Sequence, residues 1–484
     1  MSRHHTDRVG GRADEDVTAT RAGNRESSSW PLVAICVGYF MVVLDTMVVN
    51  VALPVLSRSL HTTTTGLQWV VDAYGLVFAA LLLLGGALGD RRGAKVVYQA
   101  GMAIFSLASL ACSLATTTGL LVAARCAQGL GAALAVPSSL SLLRDAYPNQ
   151  AARRRAFGIW GAVAGVAAGA GPVVGGALVA GLGWRSVFLV NVPLGAGGLL
   201  AGARFLPSPP RRRHGVDPAG QFSGVVCVLG LTVALIEAGP SGWFSPVVVA
   251  GLAVSAVAGV GLVAIERRVS DPMLPVTLFS SPTFTAATVV GLLINLGFYG
   301  ELFVMSLYLQ QCRGLTPLGA GVALTPELTM AVIGSTASGR IMAHTGPRRP
   351  LLVGLLVGGA GLVSLTVVAN HTSYGMLVVP LVASGLGMSV AMPAVTVAVM
   401  EAAPLRRGGL AAGTLNAARQ VGGVTGVALL GTLVAHRATF VSGLRLGMAI
   451  AGGAFCLAVV LTVMVIDRPT GYADEPTRPS RDSG

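Results

Sequence analysis

Four acidic residues lie within long apolar stretches of this 484-residue sequence, where an ionised side chain would have little water around it. They are Asp45, Asp72, Glu301 and Glu327. Burial favours the neutral form of a carboxyl group, so each side chain could hold a proton near neutral pH and release it on exposure to water. The pattern predicts proton binding, and the alternative for each residue is a structural hydrogen bond or a pair with a buried arginine.

Two arginines, Arg125 and Arg419, also fall within apolar stretches. A charged side chain at membrane depth is costly, so by default it marks a functional position with a partner inside the protein. Gln128 follows Arg125 by three positions, which places both side chains on one face of a helix. Arg125 therefore joins the four acids as a candidate for proton coupling.

The elements that position these residues must lie in a lipid bilayer. Hydrophobic residues make up 53% of the chain, charged residues make up 11%, and the mean hydropathy is +0.73. Soluble domains contain about 25% charged residues. The net charge of +13 comes from short arginine clusters between apolar stretches, so we predict no nucleic-acid partner.

A helix needs roughly 20 apolar residues to cross a bilayer. Fourteen stretches meet this requirement, at 31–53, 67–89, 95–115, 118–140, 156–180, 186–206, 218–238, 245–265, 284–310, 318–342, 350–369, 375–400, 409–435 and 444–466. Of the 33 Lys and Arg residues, 26 fall on the side of the two termini and 5 on the other side, which predicts cytoplasmic termini in a bacterial inner membrane. The polar tails, 1–29 and 468–484, are predicted to be disordered.

An internal repeat indicates how the spans are grouped. The Gly-x-Gly of 129–131 recurs 256 positions later, and Gly86 and Gly93 recur 253 positions later. The fourth span thus matches the twelfth and the second matches the tenth, so two extra spans separate two halves of six. The predicted parts are a six-helix half at 30–206, a cytoplasmic linker with two extra helices at 207–270, and a second six-helix half at 271–467. Such halves enclose a central cavity.

A charged turn bounded by glycines ends the second span. It contains Gly86, Asp90, Arg91, Arg92 and Gly93. Glycines permit a tight turn, and Asp90 can pair with an arginine or a helix N-terminus. The segment resembles the loop between the second and third helices of the major facilitator superfamily, whose aspartate latches the inward face shut. The resemblance implies a latch at Asp90, and a weaker one in the second half, where the matching residues are Ala343 and His344.

Three further segments resemble motifs of this superfamily. The Arg-x-x-Gln-Gly of 125–129 resembles the fourth-helix motif, whose arginine is linked to proton coupling. Leu44–Pro54 resembles the first-helix signature of the fourteen-span drug:proton antiporters, among which the chain is most similar to actinomycete exporters of the methylenomycin A resistance type. The fifth span carries a Gly-Pro-x-x-Gly-Gly pattern that resembles the motif of exporters, formed by Gly171, Pro172, Gly175 and Gly176. From packing alone, these glycines predict only a close helix interface.

The resemblance implies a proton-driven exporter of a small hydrophobic drug or antibiotic. Asp45 is the first candidate for the proton site because it lies in the family motif. Polar and aromatic residues within the spans are candidates for the substrate cavity, namely Tyr39, Asn50, Trp69, Gln128, Asn295, Phe298, Asn416 and Gln420. The alternatives are that these residues join helices, and that the protein takes up a nutrient with protons.

We predict no cofactor, with the proton gradient as the energy source. Lys95, the single lysine, is followed by Val96, so the phosphate-binding pattern Gly-x-x-x-x-Gly-Lys-[Ser/Thr] is absent and ATP is not an expected partner. Histidines and cysteines show no spacing typical of a metal site or a hydrolase motif. A membrane-embedded enzyme is therefore a distant alternative, as is a sensor that does not transport.

Overall fold

The computed structural model describes residues 29–147, 149–207, 218–269, 276–369, 372–403, 408–435 and 439–466. Across these segments the backbone is almost entirely helical and forms no strand. The long helices are α1 (Trp30–Ser59), α2 (Thr64–Arg92), α3 (Ala94–Leu114), α4 (Thr118–Ala146), α5 (Gln150–Leu182), α6 (Asn191–Phe205), α7 (Pro218–Ser241), α8 (Pro246–Glu266), α9 (Pro282–Leu307), α10 (Pro317–Thr345), α11 (Arg348–Ser364), α12 (Tyr374–Glu401), α13 (Gly408–Leu433) and α14 (Phe440–Val465). The predicted disordered tails, apart from Ser29, and most of the linker lie outside the described residues. The predicted all-α membrane fold is confirmed.

The apolar stretches coincide with these helices. Thirteen of the helices in the described segments are long and apolar enough to cross a membrane. The exception is α13, where Asn416, Arg419 and Gln420 lower the mean hydropathy. This helix packs against α2, α7 and α9, so neighbouring protein rather than lipid covers much of it.

The sixth predicted span, at 186–206, lacks one hydrogen bond of a regular helix. A single turn at Ser186–Leu189 precedes α6, and Val190 between them keeps helical backbone angles, with φ = -59° and ψ = -27°. Pro193 explains the interruption, because it has no N–H to donate to the carbonyl of Leu189. The side chain of Asn191, the first residue of α6, is fully buried.

Glycines of the repeat permit close helix packing at equivalent places in the two halves. An added Cβ at Gly131 in α4 would lie 2.6 Å from the backbone nitrogen of Phe105 in α3. At Gly387 in α12, the repeat counterpart, an added Cβ would collide with the backbone of Gly358 in α11. The recurring Gly-x-Gly therefore has a packing cause, since only glycine fits at either contact.

Two helix pairs form the main contacts between the halves. The helix α2 packs against α13, and α5 packs against α10. In the repeat, each helix of the first half corresponds to the helix eight places later, so α2 corresponds to α10 and α5 corresponds to α13. The two contacts between the halves are therefore equivalent by this repeat. Between them α1 meets α9, where the Ser306 hydroxyl donates to the carbonyl of Asn50 at 2.6 Å.

These contacts concentrate at one end of the bundle. We call the end at which α1 begins the near end, and the end at which α1 finishes the far end. At the far end Gln68 donates to the carbonyl of Ala428 in α13 at 2.8 Å. Toward the near end, a Cβ at Gly158 or Gly161 of α5 would have no neighbour within 4 Å. The halves are therefore joined at the far end and separate toward the near end.

The helices α7 and α8 lie beside this bundle and pack on each other, with the Ser223 hydroxyl donating to the carbonyl of Ala258 at 2.7 Å. Contact with the bundle runs through α7, whose Leu235 carbonyl accepts a hydrogen bond from Thr432 of α13 at 2.7 Å. Most of α8 is exposed. The grouping of six, two and six helices stays a prediction with which this packing agrees.

Candidate functional site

A buried ion pair joins α1 to α4 in the first half. Asp45 and Arg125 lie 2.5 Å apart, between Oδ2 and Nη1, and their side chains are 0% and 1% exposed. The Nε of Arg125 also donates to the backbone carbonyl of Val70 in α2 at 3.0 Å. The ring of Tyr74 lies 4.4 Å from the guanidinium carbon, where it favours the cation.

Amide and hydroxyl groups surround this pair and satisfy its remaining oxygen. The amides of Gln128 and Asn191 donate to Asp45 Oδ1 at 3.2 and 2.7 Å. Gln128 also donates to the Ser109 hydroxyl at 2.7 Å and accepts from Arg125 at 2.9 Å. We call these five residues the Asp45 cluster. It links α1, α3, α4 and α6.

The Asp45 cluster is suited to an ionised carboxylate. A buried ion pair is stable only when further hydrogen bonds satisfy its remaining polar atoms, and Asp45 accepts bonds on both oxygens. Loss of the carboxylate charge would leave the Arg125 cation buried without a counter-ion.

The second half contains a counterpart of this cluster without its cation. Glu301 stands 256 positions after Asp45, and Ser384 stands 256 positions after Gln128. The Ser384 hydroxyl donates to Glu301 Oε2, just as the Gln128 amide donates to the first-half carboxylate. Leu381 occupies the place of the arginine. Glu301 thus corresponds to the ion-paired Asp45, but it has a leucine where the first half has an arginine.

Glu327 of α10 lies beside Glu301. Both of its oxygens, and Oε1 of Glu301, are buried without a hydrogen-bond partner in the described part of the chain. An added Cβ at Gly385 would lie 2.9 Å from Glu327 Cγ, so this acid packs next to Ser384. The two carboxyl groups are close enough to interact electrostatically. Two such buried groups cannot both be ionised, so the pair holds at least one proton.

Asp72 is a third acid whose oxygens are buried without a partner among the described residues. It lies about one turn from both Gln68 and Gly75, on the face of α2 that contacts α13. Asp72 is therefore enclosed between the halves at the far end. A negative charge there would be unpaired, so closure of this interface favours the protonated acid.

The predicted latch can be placed only in part. Arg91 and Arg92 are exposed at the near end of α2. Gly93 has φ = +101°, a backbone conformation that favours glycine and turns α2 directly into α3. The side chains of Asp90 and Ala343 lie outside the described residues. A latch at Asp90 therefore stays a prediction.

The fifth-span motif lies where α5 is held between α1 and α10. Gly171 and Gly175 face α1, whereas Pro172 and Gly176 face α10. An added Cβ at Gly176 would lie 2.6 Å from the Cα of Leu318. The motif thus builds one contact within the first half and one between the halves.

Several residues proposed for the cavity are buried among the helices. Asn50 and Asn295 each donate to a carbonyl one turn earlier in their own helix, at 2.8 Å. Trp69 packs against apolar residues of α7 and α13, and Gln128 is enclosed in the Asp45 cluster. Phe298 is buried in the hydrophobic core. A role of these five residues in substrate binding stays a prediction.

The other candidates lie closer to the opening between the halves. Tyr39 of α1 stacks on Trp160 of α5, with ring centroids 3.7 Å apart. Asn416 accepts a hydrogen bond from Arg419 at 3.4 Å. Gln420, the next residue along α13, is partly exposed.

Sequence reasoning did not identify Ser109, Asn191 or Ser384 as partners of the buried acids. The repeat offset contained a signal for Ser384, which stands in the position of Gln128. Asn191 is a polar residue within the sixth apolar stretch, and this position was the signal for a buried hydrogen-bond partner. Ser109 had no comparable signal, because one serine in an apolar helix is common and usually bonds its own backbone.

The sequence matches the model of the Major Facilitator Superfamily over residues 35–427, with a further match over 287–482. The Methylenomycin A resistance protein of Streptomyces coelicolor is 37% identical, over 96% of this chain and 98% of that one. The protein of the same name from Bacillus subtilis is 36% identical, over 91% and 95%. The Tetracenomycin C resistance and export protein of Streptomyces glaucescens is 35% identical, over 87% and 79%.

Solved structures show the same fold at low sequence identity. A bacterial homolog of the human lysosomal transporter Spinster matches with a TM-score of 0.63 and 18% identity, over 91% of this chain and 98% of that one. The peptide transporter POT in complex with sulfate matches with a TM-score of 0.66 and 15% identity, over 90% and 93%.

Proposed function

The chain belongs to the major facilitator superfamily, and from that premise we propose that it is a proton-coupled antiporter that exports a small hydrophobic drug or antibiotic. Relatives that span nearly its whole length carry the names of antibiotic resistance and export proteins. Their similarity supports export over the uptake of a nutrient.

The observation that carries the proton coupling is the pair of buried glutamates. Among the described residues, Glu301 and Glu327 have three oxygens without a donor and form no ion pair. They hold at least one proton while they are buried, and they can release it when water reaches them. A group that alternates in this way is what an antiporter needs to exchange protons for cargo.

The other two buried acids have different roles in this proposal. Asp45 is held as an ion by Arg125, so it secures the first half and is not the main proton carrier. Asp72 lies between the halves at the far end, where its protonation favours closure. Protonation therefore acts at two places: at Asp72 it favours closure of the far-end interface, and at Glu301 and Glu327 it neutralises the buried pair.

The arginine distribution supports a cytoplasmic near end. In this orientation the cavity opens to the cytoplasm and inner leaflet, and the far end is closed. Cargo enters from the cytoplasm, the halves rock, and cargo leaves at the outside. Protonation from the outside then favours the return.

Drug sensitivity of an efflux-deficient bacterial host tests this proposal. The host expresses the wild-type chain and is exposed to methylenomycin A, tetracenomycin C, puromycin and other antibiotics, with and without a protonophore. We expect resistance to at least one compound, and we expect the protonophore to abolish it. The double variant Glu301→Gln/Glu327→Gln should give no resistance, whereas the exposed control Glu401→Gln should match the wild type.

Resistance that survives the protonophore would contradict proton coupling, and full resistance of the double variant would contradict the role of the glutamates. Increased sensitivity to a compound on expression would favour uptake over export.

A further inference from the structure

A cation without an acidic partner lies deep in the second half. Arg419 is eleven residues into α13, about 16 Å along the helix from its near end. The described residues form two ion pairs, Asp45 with Arg125 and Arg144 with Asp145, and neither involves Arg419. Its only hydrogen bond there, to Asn416, is long at 3.4 Å, and its Nε is buried without an acceptor.

The guanidinium points toward the space between the halves. Its stem passes Gly291 of α9, where an added Cβ would lie 3.6 Å from Arg419 Cγ. Its charge is close enough to act on the hydroxyls of Tyr299 in α9 and Tyr39 in α1. Because α1 belongs to the other half, the cation faces residues of both halves. The helix α2 contacts α13 at Gly75 and Val424, which lie closer to the far end than Arg419 does. The cation therefore lies on the near-end side of that contact, where the halves separate.

A second donor without an acceptor lies on the same tyrosine. Trp160 stacks on Tyr39, with ring centroids 3.7 Å apart and an interplanar angle of 7°. The indole Nε1 of Trp160 is buried without a hydrogen-bond partner among the described residues. An N–H group buried without an acceptor costs free energy, and so does a guanidinium at membrane depth without a counter-ion.

One kind of ligand satisfies both donors. A carboxylate or phenolate accepts hydrogen bonds from N–H groups and neutralises the guanidinium, whereas a cationic group does neither. The paired rings of Tyr39 and Trp160 offer a flat apolar surface beside the charge. Exposed arginines at the near end, such as Arg155 and Arg340, attract anions to the opening.

We propose that Arg419 and Trp160 form a binding site for the acidic group of a flat, hydrophobic anion in the central cavity. The inference rests on the proposed function, because it names the chemical class of the exported molecule as aromatic or polycyclic acids. Arg419 binds the charge, Trp160 provides a second hydrogen bond, and Tyr39 packs against the apolar part.

Two dyes with the same xanthene ring test the site. Fluorescein is an anion with a free carboxylate at neutral pH, and rhodamine 123 is a cation whose carboxyl group is esterified. Binding of each dye to the purified full-length protein is measured by fluorescence anisotropy without a proton gradient. We expect the wild type to bind fluorescein roughly tenfold or more tightly than rhodamine 123.

The variants separate charge from shape. Arg419→Gln should weaken fluorescein binding by roughly tenfold or more and leave rhodamine 123 binding within about twofold, because only the anion uses the charge. Arg419→Lys should retain part of the fluorescein affinity. Trp160→Phe keeps the stacked ring and loses the N–H, so it should weaken fluorescein binding by about threefold. The control Arg58→Gln, at an exposed arginine in the last turn of α1 at the far end, should bind both dyes as the wild type does.

Several results would overturn the proposal: no preference of the wild type for fluorescein, binding of neither dye, or undiminished fluorescein binding by Arg419→Gln. Equal loss of both dyes in Arg419→Gln and Arg419→Lys would also overturn it, because it would show a structural role. The assay needs no gradient, so failure of proton-driven export with intact Arg419-dependent binding would refute the proposed function alone. Intact export without Arg419-dependent binding would refute the anion site alone.

Discussion

At the scale of single residues, four acids in the same membrane differ in what surrounds them. Asp45 receives hydrogen bonds from Arg125, Gln128 and Asn191. Glu301 receives one from a serine, and Asp72 and Glu327 receive none from described residues. A carboxyl group with cationic and amide donors is stable as an ion, whereas one without donors is stable when protonated.

Neutralising Asp45 should therefore destabilise the protein. Asp45→Asn leaves the Arg125 cation buried without a counter-ion, and we expect a loss of roughly 3–5 kcal/mol in the free energy of unfolding. The double variant Asp45→Asn/Arg125→Leu copies the second half, where Leu381 stands, and should recover most of this loss. Unfolding of the purified protein in detergent measures both. A double variant no more stable than the single one would contradict the ion-pair account.

Neutralising Glu301 should have a different effect. Glu301→Gln replaces a carboxyl group that forms no ion pair among the described residues, so stability should stay within about 1 kcal/mol of the wild type. Proton-coupled transport should be lost, since the amide cannot exchange a proton. The same unfolding assay, paired with transport in vesicles, checks this. Destabilisation as large as that of Asp45→Asn would show that Glu301 is held as an ion.

At the scale of helices, α5 and α10 contact each other toward the far end and separate toward the near end. An added Cβ at Gly169 would lie 3.8 Å from the Cα of Thr329, while Gly158 and Gly339 have open space around a Cβ position. The helices run antiparallel, so the register that places Gly169 opposite Thr329 also places Gly158 opposite Gly339. The two ends of one helix pair therefore report on the open and closed sides of the cavity.

Cysteine pairs at these positions should respond differently to oxidation. In a background without the native cysteines, Gly169→Cys/Thr329→Cys should form a disulfide readily and stop transport, because the far end can no longer open. Gly158→Cys/Gly339→Cys should react only during transport, when the near end closes. Loss of maleimide-reactive thiols after oxidation measures both. Rapid cross-linking of the near-end pair at rest would contradict the open near end.

The sequence predicted most of the helices because lipid requires long apolar stretches, and it predicted the Asp45 candidate from a motif. It could not predict which acids have partners. That depends on how helices far apart in sequence meet, as when Asn191 donates to Asp45 across 146 positions. The pairing of Glu301 with Ser384 became visible only when the repeat offset was combined with the contacts. Arg419 was recognised as lying within a span, but only the structure showed that no described acidic residue pairs with it.

At the scale of the whole molecule, the direction of transport depends on orientation in the membrane. The near end contains most of the arginines, so we predict that it faces the cytoplasm. Export then requires that the cavity, open at the near end here, load from the cytoplasm. Orientation is therefore the first property of the whole molecule to establish.

Labelling from outside should confirm this orientation. In a cysteine-free background, Leu315→Cys at the far end should react in intact cells with a maleimide that does not cross membranes. Arg92→Cys at the near end should react only after the membrane is made permeable. Both positions are exposed, so the contrast reports sidedness and not burial. The reverse pattern would invert the topology.

The central claim, that protons entering the cell drive cargo out of it, is tested most directly in inside-out membrane vesicles. The cargo is a compound to which expression confers resistance, and an acidic lumen provides the gradient. We predict that the cargo accumulates in the lumen as protons leave it, that a protonophore abolishes accumulation, and that Glu301→Gln/Glu327→Gln vesicles do not accumulate it. Accumulation without a gradient, or accumulation only when protons move in the same direction as the cargo, would contradict the account.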